Sequence, residues 1–450
     1  MPTGSRGSSP RTALTAVLVV AGAVRLGFWA LGLGDPSEFV AVDSEGYLAL
    51  ANRLGTAYWG DATGDLFTLG LVRPPGYPVL LASLSAFGGS IGFLAFAHVL
   101  LGVGVVWATY LLGRSMFDLR VGLVAAAIVA LEPASVVHSS LLLTEVPFTL
   151  LLVVGALFVW KGQRDANMLR SAVGGGMLGL ATLVRPVTVY LPLVLFPSLY
   201  LLARTPHRRQ GVLTAAVVAV AFATPVGGWM VRNTAVAEVA VISTIESTNL
   251  LYYRAASAVA EEDGRSLAEV RDGYLSTVAE RLGASPSPAS RHRLERSIAV
   301  RELLAHPVGT LTMSTKGAGR LLLGPSRAPV AQRFDVGYDH PAVRLFTYAT
   351  VALLVMLYLL ALLGTAGSAR VGPRAAIAFL VLLAGYVIVI SAGGEAYSRF
   401  RVPAVPFVAL LGGYAACHVV APRFVAVRRP GSRLAFAAPR AMYRIHRTKE

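Results

Sequence analysis

The sequence predicts an all-α polytopic membrane protein that crosses the bilayer about ten times. Of its 450 residues, 55% are hydrophobic and 14% are charged, and the mean hydropathy is +0.62. A soluble domain of this length would carry roughly twice that fraction of charged residues. The apolar residues form long runs separated by short basic clusters, which is the pattern of transmembrane helices joined by loops.

Ten apolar runs are predicted to span the membrane. Several are short for a bilayer core, so tilted or broken helices are expected among them. The first run follows a basic start, as in a signal peptide. Arg25 interrupts it and no clear cleavage site of small residues follows, so we expect an uncleaved first helix. The predicted spans are residues 12–34, 91–112, 121–131 (running on toward 137), 147–160, 171–184, 187–203, 211–230, 345–366, 375–392 and 402–421.

The distribution of charge predicts how these spans are oriented. With the amino terminus inside, the inner segments, including both termini, carry twenty basic residues against three acidic ones, and 21 of the 24 acidic residues lie outside. This asymmetry agrees with the positive-inside rule and predicts a cell-membrane protein with both termini in the cytoplasm. The net charge of +16 lies mainly at this inner face, which argues for contact with anionic lipid and against nucleic-acid binding.

Two of the predicted outer connections are too long to be simple turns. Residues 35–90, the first loop, show apolar side chains at helical spacing from Tyr47 to Leu54, which predicts an interfacial helix. Residues 231–344, the long loop, show amphipathic helical spacing and are predicted to form a small helical domain or a mobile flap. The predicted parts of the chain are an amino-terminal transmembrane module at 1–230, the long loop, carboxy-terminal transmembrane helices at 345–421 and a basic tail at 422–450.

Two acidic residues near predicted helix starts are candidates for catalysis. Asp43 lies in AVDSEGYLALANRL, one turn before Tyr47, and Glu145 lies just before Pro147. Either could serve only as a helix cap, but an ionisable group at the edge of the hydrocarbon region is a functional candidate by default. Because the topology puts both on the outer side, they could share one site. Glu45 lies about 200° around the helix from Asp43 and is expected to point elsewhere.

Arginine recurs at the outer ends of the predicted spans, often beside proline. In RPPGYP, the two prolines force Arg73 into an extended conformation and would hold Arg73 and Tyr77 at the membrane surface. Snorkelling would account for any single outer arginine. As a group they oppose the positive-inside bias, and pairing with phosphate would offset that cost, because guanidinium binds phosphate oxygens bidentately. The candidate substrate-binding residues are Glu45, Tyr47, Arg73, Tyr77, His138, Arg185, Arg232, Asn233, Arg399 and Arg401.

Other kinds of site find little support in the sequence. The single cysteine, Cys417, excludes an intrachain disulfide and a CxxC metal site. P-loop and HExxH motifs are absent and no GxGxxG follows a predicted strand, so a nucleotide-driven reaction is not indicated. The carboxylates could hold a divalent cation, but no ligand spacing demands one. The mid-span Arg25 is expected to face the bundle interior as a structural contact.

Five segments together resemble the C-type glycosyltransferase superfamily, with the greatest similarity to bacterial and archaeal relatives of protein O-mannosyltransferases and lipid A aminoarabinose transferases. They occur in the order expected for that superfamily and are VDSEGYLALANRL, RPPGYPVLLA, LLLTEVPFTLLL, GWMVRNTAVAEVAVISTIESTNLLYY and YSRFRVPAVPFVALLGGY. The resemblance implies an enzyme that moves a sugar from a polyprenyl-phosphate carrier to a protein, lipid or glycan acceptor.

The resemblance places the catalytic acid of the first loop at Asp43 and a second acid at Glu145. Many members have two adjacent acids in the first loop, whereas here Ser44 separates Asp43 from Glu45. A carboxylate at Asp43 could take the proton of the acceptor hydroxyl, and fixed arginines could stabilise the departing phosphate. A single displacement would invert the anomeric centre.

Two other classes of protein share the pattern of many helices and few charges. A secondary transporter of a polar or anionic solute would place its charged residues near the bilayer midplane, whereas the candidates here lie mostly at the outer boundary. A non-catalytic scaffold could use the long loop to bind a partner. The transferase hypothesis requires Asp43, Glu145 and the outer arginines to converge on one cavity, and scattered positions would favour the alternatives.

Overall fold

The computed structural model describes residues 9–59, 65–202, 208–283, 286–368 and 373–421, and within these ranges it contains helices and no strand. The predicted tail at 422–450 lies outside the described residues. The amino-terminal part contains twelve α-helices: α1 Pro10–Ala30, α2 Val42–Asn52, α3 Leu54–Trp59, α4 Asp65–Val72, α5 Gly76–Ser85, α6 Ile91–Met116, α7 Leu119–Leu131, α8 Pro133–Val137, α9 Glu145–Asp165, α10 Met168–Val184, α11 Leu191–Leu202 and α12 Arg208–Ala237.

The long loop and the carboxy-terminal part continue the helical pattern. The long loop contains α13 Ile245–Asn249, a π-helix at Leu250–Ala255, α14 Ala256–Asp263, α15 Leu267–Leu282, α16 Pro288–Ala305, α17 Pro307–Leu323 and α18 Arg327–Arg333. The carboxy-terminal helices are α19 Pro341–Ser368, α20 Arg374–Ser391 and α21 Val405–Tyr414, which a π-helix extends through Ala415–Val420. Short 3-10 turns precede several helices, including one at Ser398–Arg401 before α21.

A helix occupies each of the ten positions predicted to span the membrane. Within the described chain, six of these helices are long and apolar enough to cross a bilayer: α1, α6, α9, α12, α19 and α20. The helices at the remaining predicted spans are shorter, as their short apolar runs suggest. A polytopic membrane fold follows from the six long helices, whereas the count of ten crossings stays a prediction.

Local sequence fixes where these helices begin and how closely they pack. The side chains of Ser90 and Asn167 accept hydrogen bonds from backbone amides in the first turns of α6 and α10. α10 lies between α9 and α12 and approaches both through glycine. A Cβ at Gly174 would overlap the backbone of Val159 in α9, and one at Gly175 would overlap the carbonyl of Val218 in α12. Small residues thus let three backbones meet, as in membrane helix packing generally.

Two predictions about single segments can be compared directly with the structure. Arg25 is 1% exposed and donates hydrogen bonds to the carbonyls of Ala130 (2.8 Å) and Val129 (3.0 Å), so its structural role inside the bundle is confirmed. The helix predicted after Asp43 is present as α2. Its apolar face, including Tyr47 and Leu50, is buried within the protein instead of lying in the membrane interface.

Candidate active site

Asp43 lies in the first turn of α2 and binds two arginines that come from distant parts of the chain. Its Oδ1 is 2.7 Å from Nη2 of Arg73, and its Oδ2 is 2.7 Å from Nη2 of Arg399. The N-cap of α2 is Ala41, so Asp43 is not the cap residue. The carboxylate is 29% exposed, which leaves it accessible to a second molecule.

Glu145 begins α9 and forms the second acidic position. Its Oε1 accepts a 2.6 Å hydrogen bond from Nη1 of Arg185, which lies at the end of α10. The same oxygen is 3.6 Å from Nε of Arg399. The side chain is only 2% exposed, and its other oxygen, Oε2, is buried without a hydrogen-bond partner within the described chain. The N-cap of α9 is Thr144, so Glu145 is not a cap residue either.

Arg399 links the two acids into a continuous chain of opposite charges. We call this group the charged cluster, and in order its members are Arg73, Asp43, Arg399, Glu145 and Arg185. Three guanidinium groups and two carboxylates leave it with a formal charge of +1. Four connections supply these residues, all of which the predicted topology assigns to the outer side. The structure thus brings both acids together with three of the outer arginines, while the cavity expected around them stays a prediction.

The arginines keep Asp43 ionised despite its partial burial. Burial is the largest influence on this carboxyl and disfavours its charged form, but Arg399 and Arg73 together outweigh it. The pKa of Asp43 consequently lies below its ordinary value. Burial likewise opposes the charge on Arg73 and on Arg399, yet the neighbouring acidic and phenolic groups raise the pKa of both guanidinium groups.

Aromatic side chains contact the arginines of the charged cluster. The Tyr47 hydroxyl accepts a 3.1 Å hydrogen bond from Nη1 of Arg73, and the Tyr47 ring meets the edge of Tyr77 at 4.8 Å. The hydroxyl of Tyr77 is 2.9 Å from Nε2 of His98. The other ring nitrogen of His98 lies 2.8 Å from a backbone carbonyl, which can only accept, so the Tyr77 hydroxyl donates to neutral His98. Tyr47 and Tyr77 are thus fixed beside the cluster. Tyr77 is buried within the protein, whereas the RPPGYP motif predicted that it is held at the membrane surface.

Sequence reasoning missed two of these supporting residues. His98 lies in the apolar run of α6, and an ionisable residue inside a predicted span was a signal that could have identified it. Phe400 lies under two guanidinium groups, with its ring centre 4.5 Å from Arg185 and 5.1 Å from Arg399. The alternation of arginine and aromatic residues in SRFR was the available signal for this stacking.

Arg401 and Asn233 have other partners, away from the charged cluster. Arg401 is 1% exposed and donates to Glu132 at 3.1 Å and to the carbonyl of Leu321 at 2.8 Å. Asn233 is fully buried and donates to the carbonyl of Val241 at 2.7 Å. The geometry gives both residues a structural role in place of the substrate contacts that the sequence suggested.

The remaining candidates lie beside the charged cluster or point away from it. Arg232 stacks against Trp229 at 4.8 Å, donates to the Asn233 side chain at 2.8 Å and donates to the backbone carbonyl of Tyr58. Glu45 is exposed, as its position on the helix predicted. His138 is buried, with Nε2 3.4 Å from the Ser326 hydroxyl, and burial lowers its pKa to about 4. It is therefore neutral at physiological pH and is not a surface residue.

The arrangement of acids does not resemble a metal centre. Within the described ranges, no three His, Cys, Asp or Glu side chains are grouped so that they could hold a metal ion. Asp43 and Glu145 each face guanidinium groups, which already supply the positive charge that a cation would bring.

Comparisons with known proteins identify the fold. The family model for dolichyl-phosphate-mannose-protein mannosyltransferase matches residues 72–229, which include Arg73, Glu145 and Arg185. The structure of archaeal oligosaccharyltransferase AglB from Archaeoglobus fulgidus, in complex with an inhibitory peptide and a dolichol-phosphate, superposes with a TM-score of 0.54. The match covers 94% of this chain and 52% of that one, at 14% sequence identity. This chain has the C-type glycosyltransferase fold.

Two further structures with the C-type glycosyltransferase fold also match. The apo form of the Archaeoglobus fulgidus oligosaccharyltransferase gives a TM-score of 0.52 at 14% identity, over 89% of this chain and 50% of that one. ArnT from Cupriavidus metallidurans in the apo state gives 0.41 at 16% identity, over 89% and 77%. The chain thus spans about half the length of the archaeal enzymes. No curated protein sequence matches it.

Proposed function

We propose that this protein is a membrane glycosyltransferase. It would move a sugar from a polyprenyl-phosphate carrier to an acceptor hydroxyl at the outer face of the cell membrane. The observation that carries this proposal is the charged cluster, in which a partly exposed carboxylate, Asp43, lies between two arginines. The match to a mannosyltransferase family model and the fold shared with a dolichol-phosphate-bound oligosaccharyltransferase support the same chemistry.

The charge of the cluster suits a lipid-linked sugar phosphate. The donor is a phosphodiester with one negative charge, which balances the formal charge of +1 on the cluster. Arg73 and Arg399 each use one terminal nitrogen for Asp43, and guanidinium groups have further donors with which to bind phosphate oxygens. The lipid tail would remain in the bilayer beside the helices while the sugar lies above them.

Transfer would proceed as one displacement in which Asp43 is the general base. The acceptor oxygen attacks the anomeric carbon as the bond from that carbon to the phosphate oxygen breaks, so the configuration inverts. The hydroxyl proton passes to Asp43, and polyprenyl phosphate leaves with the electron pair. Protonation of Asp43 raises the cluster to +2 as the leaving group gains a second negative charge, so charge balance is maintained. The buried Oε2 of Glu145 has no hydrogen-bond partner within the described chain, and it would accept a hydrogen bond from a hydroxyl of the bound sugar.

The binding of donor phosphate would also change the basicity of Asp43. In the free protein, Arg399 and Arg73 hold its pKa low, which makes it a weak base. A phosphate that shares these guanidinium groups reduces their hold on the carboxylate and adds a negative charge nearby, and both effects raise that pKa. Asp43 would thus become a stronger base only when a donor is present, which limits its reaction with other groups.

Purified protein in lipid nanodiscs, supplied with a polyprenyl-phosphate sugar, tests this function. Asp43→Asn should lower release of polyprenyl phosphate by roughly 10²- to 10⁴-fold, the usual contribution of a general base. The variant should bind polyprenyl phosphate at least as tightly as the wild type, because the cluster gains positive charge. Glu280→Gln, which alters an exposed carboxylate on α15, is the matched control and should leave release unchanged. Undiminished release by Asp43→Asn would exclude the base role.

A further inference from the structure

The connection that carries Arg399 is fastened to the long loop by arginine. We call this connection, residues 392–404 between α20 and α21, the arginine loop. Arg254, in the π-helix of the long loop, donates to Oε1 of Glu395 through Nε (2.9 Å) and Nη2 (2.7 Å). The same Nη2 donates to the carbonyl of Ile390 at the end of α20 (2.6 Å). One guanidinium group therefore ties the long loop to the start of the arginine loop.

A second arginine of the long loop binds the backbone at the start of the arginine loop. Arg320, on α17, donates to the carbonyls of Gly393, Gly394 and Ala396, each at 3.3 Å. Ser326, which follows α17, donates to the hydroxyl of Ser398 at 2.9 Å, next to Arg399 itself. The carbonyls on one side of this turn thus accept hydrogen bonds from the long loop.

The two backbones also meet too closely for side chains to intervene. A Cβ at Gly317 of α17 would overlap the carbonyl of Gly393, and one at Gly394 would overlap the carbonyl of Tyr253 in the π-helix. The arginine loop therefore lies directly on the backbone of the long loop. Single-turn π-helices often mark functional sites, and this one presents both Tyr253 and Arg254 to the loop.

We propose that Arg254 and Arg320 are positioning residues that hold Arg399 between the two acids of the charged cluster. The long loop would thereby set the affinity of the site for phosphate. This inference rests on the proposed function for its link to sugar transfer. The positioning of Arg399 by these two arginines does not depend on that function. We call the contacts of Arg254 and Arg320 with the arginine loop the clamp. Without the clamp, Arg399 keeps its charge but loses the fixed direction needed to face Asp43 at 2.7 Å and Glu145 at 3.6 Å together.

The carboxy-terminal end of the arginine loop has further contacts, so Arg254 and Arg320 hold only part of the loop. Arg401 donates to Glu132 and to the backbone carbonyls of Leu321 and Gly324, and these contacts do not involve Arg254 or Arg320. Removal of Arg254 should therefore loosen residues 393–399 and leave the fold intact. The effect on phosphate binding should be smaller than that of removing Arg399 itself.

The experiment compares Arg254→Ala and Arg254→Lys with Arg265→Ala, each in the full-length protein in nanodiscs. Arg265 is a matched control because it is an exposed arginine of the long loop that pairs with Glu269 four residues away. Hydrogen exchange is followed in peptides that cover 391–402, and the affinity for polyprenyl phosphate is measured directly. Loss of two charge-assisted hydrogen bonds to one carboxylate should weaken phosphate binding by about tenfold and speed exchange in these peptides. The lysine variant should recover only part of the affinity, because one ammonium cannot reproduce the guanidinium fork.

A double-variant cycle then separates positioning from a general loss of structure. If Arg254 acts through Arg399, its replacement should weaken phosphate binding in the wild-type background and have little further effect beside Arg399→Ala. Unchanged exchange in 391–402, or an equal loss of affinity in both backgrounds, would overturn the clamp. Phosphate binding that depends on Arg254, in a protein that transfers no sugar, would keep the clamp and reject the transferase function. Sugar transfer that is unchanged when Arg254 is replaced would keep the transferase function and reject the clamp.

Discussion

Arg399 is the residue on which the state of both acids depends. It is the member of the charged cluster that contacts Asp43 and Glu145 at once, and its Coulombic attraction is the largest single influence that lowers the pKa of Asp43. A base functions only when it is ionised, so activity should be lost as pH falls through the pKa of Asp43. Because that pKa is depressed, the loss should begin below the ordinary aspartate value.

We predict a shift of the acidic limb of the pH profile when Arg399 is replaced. For the wild type, kcat/KM should stay level from about pH 7 to about pH 5 and fall only near or below about pH 3.9. Arg399→Ala removes the largest favourable charge on Asp43, so its pKa should rise and the fall should begin at higher pH. Steady-state kinetics across pH for both proteins provide the test. Identical acidic limbs would show that Arg399 does not control Asp43.

The position of Asp43 is also set by the first turn of α2 as a unit. The Ser44 hydroxyl accepts from the amide of Ala41 (2.9 Å) and donates to the carbonyl of Leu142 (2.7 Å), and this serine is fully buried. The contact joins the helix that carries Asp43 to the segment that leads into Glu145. One hydroxyl therefore helps to fix the distance between the two acids.

We predict that Ser44→Ala destabilises the protein, because a buried carbonyl and a partly buried amide lose their partner. The expected cost is about 1–3 kcal/mol, and it should appear as a lower melting temperature of the detergent-solubilised protein. Ser83→Ala is the control, since Ser83 is exposed and donates to the carbonyl of Val79 in its own helix. Equal melting temperatures for Ser44→Ala and the control would show that the contact contributes little.

For the whole molecule, the topology is the prediction with the widest consequences. Asp43 and its partners must face the outer side for the proposed reaction, and the basic connections must face the cytoplasm. Glu45 and Asp165 are both exposed and lie in connections that the charge distribution assigns to opposite sides. They are therefore suitable reporters of orientation.

We predict opposite labelling of two introduced cysteines in a Cys417→Ala background. A membrane-impermeant maleimide added to intact cells should label Glu45→Cys, and it should label Asp165→Cys only after the cells are opened. The physical reason is the excess of basic residues around Asp165, which retains that connection in the cytoplasm. Labelling of Asp165→Cys in intact cells would invert the topology and remove Asp43 from the outer face.

Sequence patterns predicted the helices well because each apolar run is a local property. They also identified five members of one site, since prolines, helix starts and unpaired charges stood out against an apolar background. They could not separate Arg399 from Arg401, which are two residues apart in SRFR. The 3-10 turn at Ser398–Arg401 directs one side chain to the charged cluster and the other to Glu132 in the interior.

Contacts between distant residues account for the other errors. The partner of Tyr77 is His98, and the amide nitrogen of Asn233 donates to backbone carbonyls, which a sequence pattern does not reveal. The apolar face of α2 has the same sequence pattern whether it contacts lipid or protein. Only the packing of α5 against it, with Tyr47 on Tyr77, distinguishes the two.

The buried guanidinium of Arg25 has a consequence for how the chain is assembled during synthesis. An arginine inside an apolar helix costs roughly 2.5–3.5 kcal/mol on insertion scales when it is near the bilayer centre. The carbonyls that compensate it belong to Val129 and Ala130, about a hundred residues later. The first helix should therefore leave the translocon as a marginal membrane segment and settle only when the end of α7 has emerged from the ribosome.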